Sequence, residues 1–400
     1  MLNVVTPSKA LEIIKENFSY PLKTESLSVL SASGRILAED ITADEDIPPI
    51  DRTTVDGYAV NARDTYGASE NMPAMLKLAG EVLMGEEAGR LPERGSCIKI
   101  STGGMMPENS DAAVMVEYTD ETFDGMCLCN KSVSPGENVT KRGDDVKKGQ
   151  TVLERGQRIS SSAVGVLAAL GKTDISCVKK PVAGIISTGD EIVSASETPA
   201  FGKIRDINSV LLCALMQENG CDVISFGIVR DNKDELRNML EKALSRCDIV
   251  LLSGGSSKGA RDMTAEIISE KGELLFHGLA MKPGKPTILG KCEKRAVFGL
   301  PGHPAAAYFS ALRVVLPLIR NITGEKNRVR SGKYILGTDI PSNHGREELI
   351  PVRTDGNICY PVYGKSGLVS LLSESDGYII IDRNREGAYL GEETEVYFTR

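Results

Sequence analysis

Five short polar stretches, each closing an apolar run, constrain this chain more than any other feature. They are Ser187-Thr188-Gly189-Asp190-Glu191, Arg230-Asp231, Ser253-Gly254-Gly255-Ser256, Lys282-Pro283-Gly284-Lys285-Pro286 and Gly299-Leu300-Pro301-Gly302-His303-Pro304. The runs before them read as buried strands, and stretches of helical periodicity lie between them. The order expected is a strand at 182–186, a helix at 209–218 stopped by Gly220, a strand at 223–229, a helix at 233–245 and a strand at 248–252. A helix at 263–270, strands at 274–279 and 296–300, and a helix at 305–319 follow. Such alternation predicts a doubly wound α/β sheet. Ligands of an open parallel sheet bind beyond the carboxyl ends of its strands, where loops and helix N-termini converge.

The residue types in these stretches belong to an anion site. Glycines admit a close phosphate, serines and free N–H groups donate to it, lysines neutralise it, and carboxylates hold a divalent cation against it. The expected ligand is a phosphate ester with a metal. Such a site has to be local, because the chain carries a formal net charge of −8. That sign argues against a nucleic-acid backbone or an anionic membrane as the main partner.

With 400 residues, 41% hydrophobic and 26% charged, the chain has material for roughly two to four cores. Its nine cysteines are an odd number spread singly except for Cys127-Leu128-Cys129, which fits reduced thiols in a cytoplasmic protein. Only His277, His303 and His344 are present, with no paired C-x-x-C spacing, so a structural zinc site lacks ligands. Residues 1–18 lack a basic leader with an apolar core, and no uninterrupted apolar run approaches the roughly 18 residues of a membrane span. Cytoplasmic localisation is the expectation. Thr6 as N-cap and Pro7 at the first position announce a helix whose apolar stripe is Ala10, Leu11, Ile14 and Phe18.

Residues 22–178 hold short strand-like runs punctuated by glycine and proline, with one helix near 161–170, and read as β-rich modules. After residue 321 the pattern changes to short strands at 333–338, 348–353, 357–363, 377–381 and 393–398, as in a small β-barrel or sandwich.

Seven pieces in order then resemble one family. They are Asp56-Gly57-Tyr58-Ala59 after a Pro-Pro entry, Ile100-Ser101-Thr102-Gly103, Arg142-Gly143-Asp144-Asp145, Ser187-Thr188-Gly189-Asp190-Glu191, Ser253-Gly254-Gly255, Lys282-Pro283-Gly284-Lys285-Pro286 and Gly299-Leu300-Pro301-Gly302. Nearly end to end, the chain resembles molybdopterin molybdenumtransferase of the bacterial MoeA type, which is also the C-terminal domain of gephyrin. The resemblance implies a multidomain α/β plus β fold: an elongated linker domain at 22–47 and 142–178, a β-rich domain at 48–141, a molybdopterin-binding α/β domain at 1–21 and 179–325, and a C-terminal β-barrel at 326–400. It implies a homodimeric enzyme that hydrolyses adenylylated molybdopterin with magnesium, inserts molybdate into the freed dithiolene and releases AMP. An adenylyltransferase would act upstream and molybdoenzyme maturation partners downstream.

Carried over by motif, Glu191, Asp231 and Asp262 are the expected catalytic and magnesium-binding carboxylates. Asp231 and Asp262, each read as lying just before a helix, have N-capping as their ordinary alternative. Ser253, Gly254, Gly255 and Ser256 would wrap a phosphate oxygen, or form a plain Gly-Ser turn. Lys282 and Lys285, with Pro286 stiffening the loop, would point two cations at one small oxyanion, or be solvated lysines. Pro301, Gly302 and Pro304 belong to the same binding surface. Arg346 and Ser366 are the best barrel matches to the molybdate site, with Arg353 as the competing arginine. Asp56, Thr102 and Asp145 would complete the site from the second subunit; otherwise they cap a turn, occupy a strand and sit in a charge run.

Two positions depart from the family pattern: His303 stands where many members have asparagine, and Ala306 where they have serine. Ala306 cannot donate through its side chain, which leaves molybdate against tungstate open. The alternatives are a tungstate-preferring enzyme, the preceding adenylylation step, or a non-catalytic molybdopterin-binding scaffold. A stand-alone adenylyltransferase would not need the β-rich segments, and a scaffold would not require the acidic and lysine constellation.

Overall fold

The computed structural model describes residues 3–20, 23–254, 258–326, 329–364, 367 and 369–399, with the backbone alone at 258–262. It opens with α1 (Pro7–Asn17), capped by Thr6, whose hydroxyl oxygen accepts from the Lys9 N–H at 3.2 Å. Pro7 occupies the first turn, where a missing N–H costs no helix hydrogen bond. The buried face of α1, with Ala10 and Ile14, and Phe18 just past its end join a core built from residues far along the chain.

That core flanks a six-stranded sheet of β1 (Val182–Thr188), β2 (Asp222–Val229), β3 (Ile249–Gly254), β4 (Glu273–His277), β5 (Ile288–Cys292) and β6 (Arg295–Leu300). The spatial order is β2-β1-β3-β6-β5-β4. Strands β2, β1, β3 and β6 run parallel. The helices are α2 (Asn208–Glu218), α3 (Lys233–Arg246), α4 (Lys258–Lys271) and the composite α5 (Pro304–Thr323), whose middle is a π segment at Ala311–Val315. One face of the sheet, with Ala183, Ile185, Ile249, Leu251 and Phe298, is covered by α1, α2 and α5. The other, with Ile186, Val250, Leu252 and Val297, is covered by α3 and α4. Both faces carry helices, as the doubly wound expectation requires. Each fully buried phenylalanine, Phe276, Phe298 and Phe309 among them, contributes on the order of 2 kcal/mol through its removal from water.

One strand departs from that expectation. β5 is antiparallel to both neighbours, and its Ile-Leu-Gly-Lys-Cys sequence is too short and too interrupted to read as a buried strand. Gly290 is needed there because a Cβ would lie 2.1 Å from Cγ2 of Ile268. Helix α5 is 20 residues of mean hydropathy 1.3, which meets the length and composition of a membrane span, yet 61% of that stretch is buried inside the protein. It is a core helix packed on the sheet.

Two β units flank this body. Residues 57–129 form a mixed sheet in the order Ala112–Met115, Gly57–Val60, Ser96–Ile100, Ala74–Val82, Met126–Cys129, Thr119–Glu121. Strand Thr24–Ser28 pairs with the distant Asp174–Val178, so both chain passages to that sheet run side by side. At the C-terminus, Glu347–Asp355, Ile358–Pro361, Ser331–Leu336, Glu393–Phe398 and Gly377–Ile381 pair in turn, and the last returns to the first to close a small barrel. Strand Met281–Lys282 of the α/β body adds to this barrel through Glu347 and Glu348.

Candidate active site

The chain leaves β1 for β2 on one side and then crosses to β3 on the other. The crossovers therefore diverge beside β1 and β3, and the carboxyl ends of these strands border the crevice where such sheets bind ligands. Register shows what gathers there. Thr188 is opposite both Val229 and Gly254, Ser253 is opposite Leu300, and Ile288 is opposite Gly299. Residues 189–191, 230–231, 282–286 and 301–304, and the end of β3, consequently share one rim. Gly254 has φ +131°, and a Cβ on it would lie 2.0 Å from the Thr188 carbonyl oxygen. Only glycine lets β1 and β3 close there while leaving their ends open.

Acidic crowding marks this rim. The N-cap of α3 is Asn232, whose Oδ1 accepts from the N–H groups of Asp234 and Glu235 at 2.9 and 3.1 Å. Asp231 is thereby relieved of the capping role that was its ordinary explanation. Its N–H donates to Asp190 Oδ1 at 3.4 Å. Partial burial pushes its carboxyl pKa up, and the charges of Asp190 and Glu191 push in the same direction. Asp190, inside the first polar stretch, carries no motif signal of its own, and its place beside Asp231 comes from the tertiary structure. Among the described residues no three carboxylate, imidazole or thiol groups gather to hold a metal ion. Glu191 and Asp231 form no ion pair among the described residues, although the Lys203 ammonium group donates to the neighbouring Asp190 carbonyl oxygen. As carboxylates they are of the type that magnesium takes one or two at a time, filling its octahedron with phosphate oxygens and water.

Beneath the rim, three buried polar atoms have no hydrogen-bond partner among the described residues: Ser187 Oγ, Ser253 Oγ and Asn208 Oδ1. Ser187 and Ser253 are register neighbours on adjacent strands. Asn208, at the start of α2, donates through Nδ2 to the carbonyl oxygens of Gly302 at 2.9 Å and Pro301 at 3.4 Å, fixing the loop ahead of α5. Ser187 heads the first of the polar stretches, whereas Asn208 is not legible as a site residue, because a helix asparagine carries no local signal. On that loop His303 is exposed, Pro304 opens α5, and Ala306 is buried in its first turn.

The 282–286 loop is braced from below. Thr287 Oγ1 donates to the Gly284 carbonyl oxygen at 2.7 Å and lies 2.8 Å from Ser310 Oγ. Lys285 is exposed. Lys282 differs from the expectation of two cations aimed at one anion: its Nζ lies 2.6 Å from Glu348 Oε1 of the barrel. The strand pairing that links Met281 to Glu347 also brings the exposed Arg346 beside this loop. Arg353 belongs to the far end of the same strand, opposite Tyr360, about 20 Å further along at ordinary strand rise.

Asp56 and Thr102 come together elsewhere. The Thr102 N–H donates to Asp56 Oδ1 at 2.7 Å on the exposed edge that the strand ends make, just before Gly57–Val60 and just after Ser96–Ile100, two inner strands of the 57–129 sheet. Asp145 is exposed on a loop held by its own N–H to the Ile47 carbonyl oxygen at 3.0 Å. This sheet has its own cores, separate from those of the α/β body. Gly255, Ser256 and Ser366 lie outside the described residues, as does the Asp262 side chain. The backbone of Asp262 corrects one expectation: α4 begins at Lys258, so Asp262 is inside the helix rather than before it.

Comparison with known proteins covers the whole length. Residues 5–171 match the family "MoeA N-terminal region (domain I and II)", 184–321 match "Probable molybdopterin binding domain", and 333–399 match "MoeA C-terminal region (domain IV)". A molybdopterin molybdenumtransferase of Haemophilus influenzae is 31% identical over 97% of this chain and 97% of its own. One of Bacillus subtilis is 29% identical over 100% and 96%. Among solved structures, the molybdopterin biosynthesis MoeA protein of Pyrococcus horikoshii OT3 superposes with a TM-score of 0.87 at 33% identity, covering 99% of this chain and 100% of that one.

Proposed function

The chain belongs to the MoeA family of molybdenum-cofactor biosynthesis transferases, and from that premise we propose that it hydrolyses adenylylated molybdopterin, inserts molybdate into the freed dithiolene and releases AMP. The observation that carries this reading is the shared rim, where a glycine-opened strand end, crowded carboxylates and a lysine loop meet at the divergence of two crossovers. The N–H groups beyond Gly254 would receive a phosphate of the substrate. Glu191 and Asp231, with Asp262, would hold magnesium, which when bound offsets phosphate charge as water breaks the phosphoanhydride. Asn208 keeps the 301–304 loop in place as the wall of the pocket. Lys285, Lys282 and Arg346, with Ser366, would receive the tetrahedral oxyanion, and Pro286 limits the motion of that loop.

From the family resemblance the reading includes a homodimer in which the partner subunit's Asp56, Thr102 and Asp145 close the pocket; within one chain the Asp56–Thr102 pair lies on a sheet with its own cores. The reading also includes cytoplasmic operation, between an adenylyltransferase that supplies the nucleotide and the partners that take the finished cofactor.

The test is AMP release from adenylylated molybdopterin, measured with magnesium and molybdate present. Turnover that needs both additions, and that Glu191→Gln abolishes, is expected. Tight pterin binding without AMP release would overturn the catalytic reading in favour of a scaffold.

A further inference from the structure

The ion pair between Lys282 and Glu348 stands apart from the other contacts of the rim. Glu348 is a barrel residue only 7% exposed, whereas the Lys282 side chain is largely in solvent. The carboxylate is held from both sides: Lys282 Nζ lies 2.6 Å from Oε1, and Ser342 Oγ donates to Oε2 at 2.7 Å. The two residues are also direct register partners where the 281–282 strand joins the barrel. A carboxylate this enclosed is retained only with its charge compensated. Lys282 is therefore committed to the barrel before any anion arrives, while Lys285, three residues on, makes no ion pair among the described residues.

The geometry points to Glu348 as a positioning residue that limits oxyanion affinity by holding Lys282. An incoming dianion has to share that ammonium group with a carboxylate already in contact with it, so the site binds its oxyanion less tightly than its cation count alone would dictate. Weak retention suits a group that is to be handed on to a dithiolene rather than stored. This inference rests on the proposal that the 282–286 loop receives the oxyanion.

Calorimetric titration of the full-length protein with molybdate tests it. Glu348→Gln preserves side-chain shape and an acceptor for Ser342 but removes the competing charge. It is expected to tighten molybdate binding about tenfold, with KM for molybdate falling in parallel and kcat not rising. The effect acts through Lys282, so Glu348→Gln added to Lys282→Gln is expected to change affinity less than twofold. A Glu348→Gln protein that binds molybdate no better than the parent, or a double variant that tightens as much as the single one, overturns the inference. If Glu348→Gln fails to fold, the double variant, which leaves neither charge buried alone, is compared with Lys282→Gln, and a gain in affinity there overturns it equally. Lys285→Ala reports on the premise separately: unchanged molybdate binding in that variant removes the loop as the oxyanion site, whatever Glu348 does.

Discussion

The rim of the α/β sheet and the Asp56–Thr102 edge of the β-rich sheet both gather polar residues, and they treat them in opposite ways. At the rim, Ser187, Ser253 and Asn208 keep buried atoms without partners among the described residues, and Asp231 sits against two like charges. At the β-rich edge, the Asp56 carboxylate already accepts a backbone N–H at 2.7 Å. Orphaned polar atoms and like-charge crowding cost free energy in the isolated chain, which is why the rim is proposed as the place where a ligand compensates them. The other two such atoms among the described residues, Arg313 Nε and Glu347 Oε1, belong to one ion pair. A satisfied carboxylate on an exposed edge carries no such cost. Its function has to come from what is brought up to it.

The largest expected effect breaks the comparison at the rim. Glu191→Gln lowers AMP release by at least about a hundredfold, because the attack on phosphate loses its charge compensation, while thermal unfolding stays close to that of the parent. Asp231→Asn loses activity to a similar degree and raises the unfolding temperature. The sign follows from linkage: the folded state raises this carboxyl's pKa, so the folded state binds its proton more tightly than the unfolded one. Its ionised form therefore costs stability at neutral pH, and the cost fades as pH falls through the carboxylate range. Calorimetric unfolding of parent and Asp231→Asn should converge with falling pH, and parallel curves would contradict the assignment.

Next in size is steric. Gly254→Ala forces a Cβ to within 2.0 Å of the Thr188 carbonyl oxygen and is expected to cost about 2–4 kcal/mol in chemical denaturation. Gly57→Ala meets the Val114 carbonyl oxygen at 1.9 Å and should disturb the β-rich sheet comparably. An unchanged denaturation midpoint in either would mean the strands can separate there without penalty.

A subunit-mixing assay sharpens the contrast further. If the β-rich edge serves the rim of the other subunit, Asp56→Ala and Glu191→Gln proteins are each inactive alone. After unfolding and co-refolding in equal amounts they recover about a quarter of parental AMP release, since half the dimers are mixed and each has one intact site. No recovery would confine Asp56 to the site of its own subunit. Smaller still, Asp56→Ala removes a charge-assisted hydrogen bond at an exposed edge and should destabilise by about 1 kcal/mol, read from the urea midpoint. The smallest effect is expected from Ala306→Ser. A hydroxyl in the first turn of α5 should change the molybdate-to-tungstate preference by no more than a few-fold, measured by competition.

Much of this architecture was open to reading from the residues alone. Thr6-Pro7 defined the start of α1 because capping is local chemistry, and the strand-helix alternation from 182 to 324 revealed a doubly wound body because burial on both sheet faces imposes apolar runs. β5 escaped because Gly290 and Lys291 interrupt an apolar run whose burial comes from α4 packing across it. The helical apolar pattern begins at Met263, whereas α4 itself contains Lys258 to Asp262. Asp190 and Asn208 went unassigned because neither neighbouring residues nor periodicity report which side chains a crossover brings face to face.

What the sequence by itself determined is the set of elements and the chemistry available at their ends, since periodicity, caps and turn residues act within a few positions of one another. Only the tertiary structure decided which of those ends meet, that α1 packs onto a core formed mostly after residue 182, and that Lys282 is claimed by Glu348 of a closed barrel. Those outcomes depend on strand register and on contacts between residues distant in the chain, and a register displaced by one residue would turn every side chain of a strand to the opposite face.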